Sequence, residues 1–491
     1  MSLIIALLGL VFAGRLILKN YNPQAVLFFT GIVLMAISIF TNNASFVAKS
    51  TGWVGFDIFE YISQVFSKQS GGLGLNIMLI GGFALFMSAI GASQVMVKVA
   101  AKPLMKLNSP YLMLALAFIL GQALSLFISS ATGLALLLMA TLYPVLIRLG
   151  CSKAGVAAVL ASTCAIEFGP ASGNSILAAQ TAGMDITAFF VGEQLPIVTV
   201  LIIAVALIHA LTQRYFDKLD AKSNAEQDSL AHVDDAQSDA PMFYLLLPML
   251  PMLPLFFMLT FSKLGIESIK VSLANAILLS IFIGLVREFI RVKQAKPVFD
   301  KLQGIFNDMG KVFAAVVTLI VAGQTFSMGL KSIGAIDAML EMASGAGLSA
   351  AIIILFMAIL TFTISALMGS GNAAFFSFAP MVPQIAQKIG ANAADMILPI
   401  QLSAGMGRTI SPIAGVIIAV AGISGLSPFD IVRRTFIPMF IGWLLMLAMT
   451  FARGGQLMQL LPFLVLMLVA VGVGAWLLRK RKAVQPEQAS A

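Results

Sequence analysis

The chain has 491 residues, of which 59% are hydrophobic and only 10% are charged, and its mean hydropathy is +0.99. Soluble domains carry about 25% charged residues, so this composition argues against a water-soluble protein and indicates a membrane protein. The net charge of +9 does not indicate nucleic-acid binding, because the basic residues lie in short loops beside apolar runs. With only two cysteines, Cys151 and Cys164, a disulfide framework or a metal cluster is not expected.

Apolar runs recur along the chain, most of them long enough to cross roughly 30 Å of hydrocarbon. They fall near residues 3–18, 25–41, 75–92, 110–147, 153–190, 195–212, 243–262, 270–290, 312–330, 348–387, 393–422, 435–451 and 457–478. A polar stretch near 213–241 separates two groups of runs and predicts a solvated linker. The predicted units are a first half (1–212), a cytoplasmic linker (213–242), a second half (243–452), and an additional span with a basic cytoplasmic tail (453–491).

The segment 110–147 has 38 residues without a charge, too long for one span, with basic residues near both ends and polar residues at its middle. A re-entrant hairpin that enters and leaves on the cytoplasmic side explains these features, because basic residues favour that side. Two ordinary spans are the alternative. With a second hairpin at 348–387, the basic clusters predict about 11 spans, with the N-terminus outside the inner membrane and the C-terminus in the cytoplasm.

An internal repeat supports two related halves. Phe56-Asp57 matches Phe299-Asp300 and Ile90-Gly91-Ala92 matches Ile333-Gly334-Ala335, both at an offset of 243 residues. Five spans and a hairpin in each half force the second copy to be inverted, so the predicted fold is an all-α polytopic membrane protein of two inverted repeats, typical of secondary transporters. The amphipathic stretches 56–68 and 297–313 are interpreted as helices in the membrane interface.

Four polar, glycine-containing breaks interrupt the apolar segments. Two are hairpin tips, Ser129–Gly133 and Gly369–Ala373, and two lie within spans, Phe168–Asn174 and Arg408–Gly415. The helix that follows a break presents free N–H groups suited to an anion, and the helix that precedes it presents carbonyls suited to a coupling cation. Close helix packing by small residues is the alternative explanation.

Arg408 is the strongest individual candidate, because a charge in the middle of a span is costly and usually functional, and a guanidinium can hold a carboxylate through two hydrogen bonds. Its alternative role is to cap hairpin carbonyls. Ser411 followed by Pro412 predicts a helix N-cap. Glu167 is the only acidic residue deep in the first half, where it could carry a proton, pair with Arg408 or reach an interface.

No protease, hydrolase, P-loop or Cys/His metal signature is present, which favours a carrier driven by gradients over an enzyme, and no cofactor is expected beyond a coupling H⁺ or Na⁺. The alternatives are a cation/proton antiporter, which requires acidic residues at the breaks, a membrane-embedded enzyme, and a channel. A carrier of another organic anion, such as citrate or a short-chain carboxylate, also remains open.

At these breaks the chain resembles the anaerobic C4-dicarboxylate uptake C (DcuC) family of the ion transporter superfamily. The resembling stretches are NSPYLMLALAFILGQALSLFISSATGLALLLMATLYPV, GPASGNSILAAQ, MGSGNAAFFSF and GMGRTISPIAGVIIAVAG. The resemblance implies uptake, efflux or exchange of succinate, fumarate, malate or aspartate across the bacterial inner membrane, by symport or antiport with protons or another cation. The outer side, where the N-terminus is predicted, is then the periplasm. It also implies a homodimer in which an elevator-like transport part moves against a scaffold.

The resemblance also suggests roles for the break residues. Ser130, Thr132, Ser370 and Asn372 at the hairpin tips would bind substrate carboxylates, with Asn174, Thr409 and Ser411 on the opposite walls and Arg408 as the cationic partner. The complete predicted substrate-binding set is Ser129, Ser130, Thr132, Gly133, Ser172, Asn174, Ser370, Gly371, Asn372, Arg408, Thr409 and Ser411, with Glu167 for proton or ion coupling.

Overall fold

A computed structural model of the chain describes residues 2–19, 21–42, 45–104, 107, 109–220, 240–254, 257, 271–335, 338 and 349–458. All regular secondary structure within these ranges is helical, without a strand, which confirms the all-α prediction. Most of the predicted span near 457–478, part of the one near 243–262 and most of the predicted linker lie outside the described residues.

The helices form two groups. Before the linker they are α1 (Ser2–Leu18), α2 (Pro23–Asn42), α3 (Val54–Gly71), α4 (Leu73–Ala89), α5 (Ala92–Ala101), α6 (Pro110–Ser125), α7 (Ala131–Thr141), α8 (Tyr143–Arg148), α9 (Lys153–Ala161), α10 (Gly173–Thr181), α11 (Ile186–Phe189) and α12 (Leu195–Asp220). After it, a 3₁₀ helix (Met242–Met249) precedes α13 (Leu273–Val292), α14 (Ala295–Val312), α15 (Thr318–Ser332), α16 (Ala350–Met368), α17 (Gly371–Phe378), α18 (Val382–Ile389), α19 (Ala393–Thr409), α20 (Gly415–Ser424) and α21 (Pro428–Arg453).

Six of the described helices are long and apolar enough to cross a membrane: α2, the continuous helix α11–α12, α13, the continuous helix α14–α15, α16 and α21. The pair α3 and α4 passes the same test when taken together, with a bend of 43° between them. The stretch 297–313, interpreted as an interfacial helix, belongs to α14, which continues through the π-helical turn Phe313–Val317 into α15. The total of about 11 spans stays a prediction.

Helix α12 exposes its apolar side chains and buries polar ones. Val200, Ile203, Leu207 and Leu211 are each more than half exposed, whereas His209 and Gln213 on the same helix are fully buried. This arrangement is the reverse of a soluble surface helix and suits contact with lipid, where an apolar outer face costs nothing. The predicted contact with a bilayer therefore has a structural basis.

The C-terminal end of α12 extends into the predicted linker, since residues 213–220 are helical. Arg434 on α21, only 3% exposed, binds Asp217 and Asp220 with Nη–Oδ distances of 2.7 Å each. These ion pairs join α12 to α21. They explain why α12 continues beyond the end of its apolar run.

The two halves interlock through glycines. A Cβ atom at Gly31 of α2 would lie 2.6 Å from the backbone nitrogen of Phe326 on α15, and one at Gly284 of α13 would lie 2.8 Å from the Phe86 ring on α4. Only glycine allows such close approach without a shift of the neighbouring chain. An early helix of each half thus packs on a later helix of the other.

Candidate binding site

Helices are interrupted at the four places that the sequence indicates. Helix α6 ends at Ser125 and α7 begins at Ala131, whereas α16 ends at Met368 and α17 begins two residues after Gly369, which adopts a left-handed φ of 67°. In the second half α19 ends at Thr409 and α20 begins at Gly415. In the first half the break spans residues 162–172 and starts earlier than Phe168, because the Ser162 hydroxyl donates to the carbonyls of Ala158 and Val159 in the last turn of α9.

Serine side chains cap three of the four helices that follow the breaks. Ser130 Oγ accepts from Gly133 N (3.1 Å) at α7, Ser172 Oγ from Ser175 N (3.4 Å) at α10, and Ser370 Oγ from Ala373 N (3.2 Å) at α17. Each cap satisfies one amide of the first turn and leaves others free. These helix starts therefore keep the partial positive charge that favours an anion.

The predicted N-cap at Ser411 is wrong. Helix α20 begins at Gly415 with Ala414 as its N-cap, which makes no side-chain cap. Residues 411–414 form a turn in which Ala414 N donates to Ser411 O (3.2 Å), so Pro412 lies before the helix. The serine–proline pair is compatible with both conformations, and the tertiary position of α20 selects the turn.

A cavity of about 400 Å³ lies where the breaks meet. The predicted site residues that line it are Ser129, Ser130, Thr132, Gly133, Ser172, Asn174, Asn372, Arg408 and the coupling candidate Glu167. First-turn residues of α7 and α10 are on its wall, so two helix N-termini face the same space. The start of α20 is close as well, since a Cβ atom at Gly415 would lie 3.7 Å from Thr132 Oγ1.

The other predicted residues do not line this cavity. Ser370 is the cap of α17, and Gly371 packs against α19, where an added Cβ atom would lie 2.8 Å from the Ala404 carbonyl oxygen. Thr409 is fully buried, and its hydroxyl donates to Gly405 O (2.8 Å). Ser411 is also fully buried, with a hydroxyl that has no hydrogen-bond partner in the described part of the chain. These four residues shape the surroundings of the cavity.

Arg408 and Glu167 form an ion pair at the cavity wall. Arg408 Nη1 lies 2.8 Å from Glu167 Oε1, and their side chains are only 12% and 14% exposed. Arg408 Nη2 donates to Cys164 O (2.8 Å), a carbonyl of the first-half break, and Asn174 Nδ2 donates to Glu167 Oε2. Of the roles weighed for these residues, the structure displays the pairing of Glu167 with Arg408 and the capping of a break carbonyl by Arg408.

Two cavity residues retain unused hydrogen-bonding groups. Arg408 Nε and Asn174 Oδ1 are buried and have no partner among the described residues. Buried polar groups are almost always hydrogen-bonded, so such atoms at a cavity wall indicate a place for a ligand or water. A carboxylate could accept from Arg408 Nε while the free amides of α7 and α10 face its negative charge.

Sequence reasoning missed three buried polar residues behind the cavity: Ser175, Gln194 and Gln401. Gln194 Oε1 accepts from Gly169 N (2.9 Å), and Gln194 Nε2 donates to Gln401 Oε1 (3.1 Å) across the two halves. Gln401 Nε2 donates to Glu167 O (3.0 Å), and both glutamines donate to Ser175 Oγ. This network positions the break that carries Glu167. Gln401 inside an apolar run and Gln194 directly before one were the available signal.

Apolar helices that are interrupted around a shared polar cavity are typical of multi-pass membrane transporters. The family model described as "C4-dicarboxylate anaerobic carrier" (DcuC) matches residues 1–454. The chain is 37% identical over 451 residues to the anaerobic C4-dicarboxylate transporter DcuC of Escherichia coli K12, covering 91% of this chain and 96% of that protein. It is 36% identical over 445 residues to a probable anaerobic C4-dicarboxylate transporter DcuC of Vibrio cholerae, covering 90% and 95%. The chain belongs to the DcuC family, whose members are transporters and not enzymes.

Two solved structures share the fold. The Alcanivorax borkumensis YdaH transporter superposes with a TM-score of 0.59 at 16% identity, over 88% of this chain and 99% of that one. Neisseria gonorrhoeae MtrF superposes with a TM-score of 0.58 at 12% identity, over 89% and 96%. At these identities the likeness establishes the fold alone.

Proposed function

We propose that this protein is a secondary active transporter of C4-dicarboxylates in the bacterial inner membrane, working by alternating access. The observation that carries the proposal is the meeting of helix breaks from both halves, together with Arg408, at one cavity. Membership of the DcuC family supports the substrate class, since the relatives are C4-dicarboxylate transporters.

In this proposal one substrate carboxylate binds Arg408, whose Nε has no partner in the described part of the chain, and the N-termini of α7 and α10. The second carboxylate reaches the opposite wall, which Asn372 supplies from the second hairpin tip. Thr132 and Asn174 hydrogen-bond the substrate from the first half. Because tip residues of both halves contribute, an acid with a carboxylate at each end fits the site better than an acid with one.

The ion pair between Glu167 and Arg408 supports a role for Glu167 in proton coupling. A substrate carboxylate competes with Glu167 for Arg408, and Glu167 then loses its cationic partner in a partly buried site. Uptake of a proton by Glu167 offsets one of the two negative charges that a dicarboxylate brings into the cavity, which links dicarboxylate binding to proton movement. The Arg408–Glu167 pair also disfavours the cation antiporter alternative, because the only acidic residue among the described residues that line the cavity is already paired with a cation.

The proposal includes the architecture inferred from sequence. The breaks between α6 and α7 and between α16 and α17 form the tips of two re-entrant hairpins in inverted repeats, and an elevator-like movement of the hairpins carries the substrate. The proposal also puts the N-terminus in the periplasm and the C-terminus in the cytoplasm, and the distribution of the basic clusters supports this orientation. A homodimer provides the scaffold for the movement.

Counterflow in proteoliposomes tests the function directly. Purified protein is reconstituted with unlabelled succinate inside, and uptake of labelled succinate is measured with fumarate, malate, aspartate, citrate or lactate as competitors. We expect competition by the C4-dicarboxylates alone. Competition by citrate or lactate alone would show that the protein carries another class of organic anion. Single-channel currents would exclude the carrier mechanism.

A further inference from the structure

A second cavity, of about 220 Å³, lies between α3, α10, α15 and the segment around α18. Polar side chains dominate its wall, including Lys68, Gln69, Gln180, Gln324, Ser327 and Gln384. Lys68 is the only charged residue among those that line it, and it makes no ion pair in the described part of the chain. The cavity therefore differs from the first one, where Arg408 and Glu167 balance each other.

Three helical segments run from the first cavity to the second. Helix α10 borders the first cavity at Asn174 and the second at Gln180, and the continuous helix α14–α15 does so at Val316 and Gln324. The chain through α17 and α18 borders the first at Phe376 and the second at Pro383. The nearest lining residues on these segments are three to eight positions apart, about 4–12 Å at 1.5 Å per residue, so the two cavities border one shared interface.

The internal repeat relates the two cavities to each other. Gln324, Ser327 and Met328 of the second cavity follow Gly81, Ala84 and Leu85 of the first by 243 residues each, the offset already seen at Ile90-Gly91-Ala92 and Ile333-Gly334-Ala335. Gln69 of the second cavity likewise precedes Val312 of the first by 243 residues. In the inverted repeat proposed above, equivalent positions face opposite sides of the membrane, so these four lining residues place the second cavity toward the side opposite to the first.

The chemistry of the second cavity suits a carboxylate. Lys68 is exposed and supplies a point charge without a neighbouring acidic residue among the lining side chains. Gln69 is only 2% exposed, and its Oε1 has no hydrogen-bond partner in the described residues. A buried amide without a partner, next to a free ammonium group, indicates a space that a hydrogen-bonding solute enters.

We propose that this second cavity is the chamber through which the carried dicarboxylate reaches the site from the other side of the membrane, with Lys68 as the charge that attracts it. The inference rests on the proposed function for its solute. It assigns the two cavities to the two ends of one path.

Paired cysteine variants test the two ends. Leu85→Cys and Met328→Cys are equivalent positions in the repeat, and each is made in a protein whose native thiols are removed by Cys151→Ala and Cys164→Ala. Proteoliposomes of known orientation are treated with a charged, impermeant thiol reagent from one face at a time. We expect labelling from opposite faces and slower labelling of both variants in succinate. Labelling of both from the same face, or a reactive Met328→Cys that succinate does not protect, overturns the proposal.

The role of Lys68 has a matched control in Lys311, the lysine 243 residues later, which is 76% exposed and paired with Asp308 at 2.8 Å. Lys68→Gln should raise the KM for succinate about tenfold at the face where Met328→Cys reacts, through loss of electrostatic attraction, with maximal rate unchanged. Lys68→Arg should retain the wild-type KM, and so should Lys311→Gln. Equal effects of Lys68→Gln and Lys311→Gln would refute the role. Absence of succinate counterflow in the wild type would instead refute the proposed function. The labelling pattern would then still show whether the two cavities open to opposite faces of the membrane.

Discussion

Replacing Arg408 by glutamine tests the candidate site most directly. The change removes the only cation among the described residues that line the first cavity, and it leaves the Glu167 carboxylate with Asn174 as its remaining described hydrogen-bond donor. Breaking a fully buried ion pair costs about 3–5 kcal/mol. Because both side chains keep slight exposure, 12% for Arg408 and 14% for Glu167, we expect a loss of about 2–3 kcal/mol in the free energy of unfolding.

The transport defect should exceed the loss of folded protein. A hydrogen bond to a charged group contributes about 1.5–3 kcal/mol, and 1.4 kcal/mol corresponds to a tenfold change. Loss of the guanidinium contact should therefore reduce the succinate specificity constant (kcat/KM) by roughly tenfold to a hundredfold. Arg408→Lys keeps the charge but not the planar fork, so its rate should lie between those of the wild type and Arg408→Gln.

The assay is initial-rate counterflow of labelled succinate in proteoliposomes, normalised to reconstituted protein, with melting in detergent as the stability measurement. Arg453→Gln is the matched control, because Arg453 pairs with Glu193 at 2.9 Å and neither residue lines the cavity. It should leave the rate close to the wild-type value. A correctly folded Arg408→Gln protein with wild-type counterflow would refute the assignment of Arg408 as a substrate ligand.

Two further predictions concern coupling and packing. Glu167→Gln should abolish the stimulation of net succinate uptake by an inward proton gradient while retaining succinate counterflow. Gradient-driven uptake equal to that of the wild type would remove Glu167 from the coupling mechanism. Gly405→Ala should cost about 1–3 kcal/mol, measured by melting, because its Cβ atom would lie 2.3 Å from the Ala165 carbonyl oxygen in the first-half break. The control Gly422→Ala meets no atom within 4 Å and should not lower the melting temperature. Equal melting of the two alanine variants would contradict the packing argument.

The breaks were largely predictable because they follow from local chemistry. Gly369 needs a left-handed φ that other residues avoid, and Ser130, Ser172 and Ser370 are good N-caps, so the chain itself signals where helices stop and restart. The same local signal failed at Ser411, where a serine before a proline forms part of a turn. Local sequence limits the conformations of such a pair without choosing between them.

The cavity wall could be predicted only in part. Charge in an apolar span identified Arg408 and Glu167, but their partners were left open, because residues 241 positions apart in the sequence meet only through packing of the two halves. Gln194 and Gln401 escaped notice for the same reason, since a neutral amide in a span acquires a role only when its partner is known.

By itself the sequence determined that the protein is helical, that it has an apolar exterior, and where its helices are interrupted, because hydropathy, glycine conformation and serine capping act over a few residues. The tertiary structure decided which interrupted ends share a cavity, which of the predicted residues line it, and that Arg408 is paired with Glu167. Those outcomes depend on contacts between distant segments, whose geometry is set by how the two halves pack and not by the residues at either end of the contact.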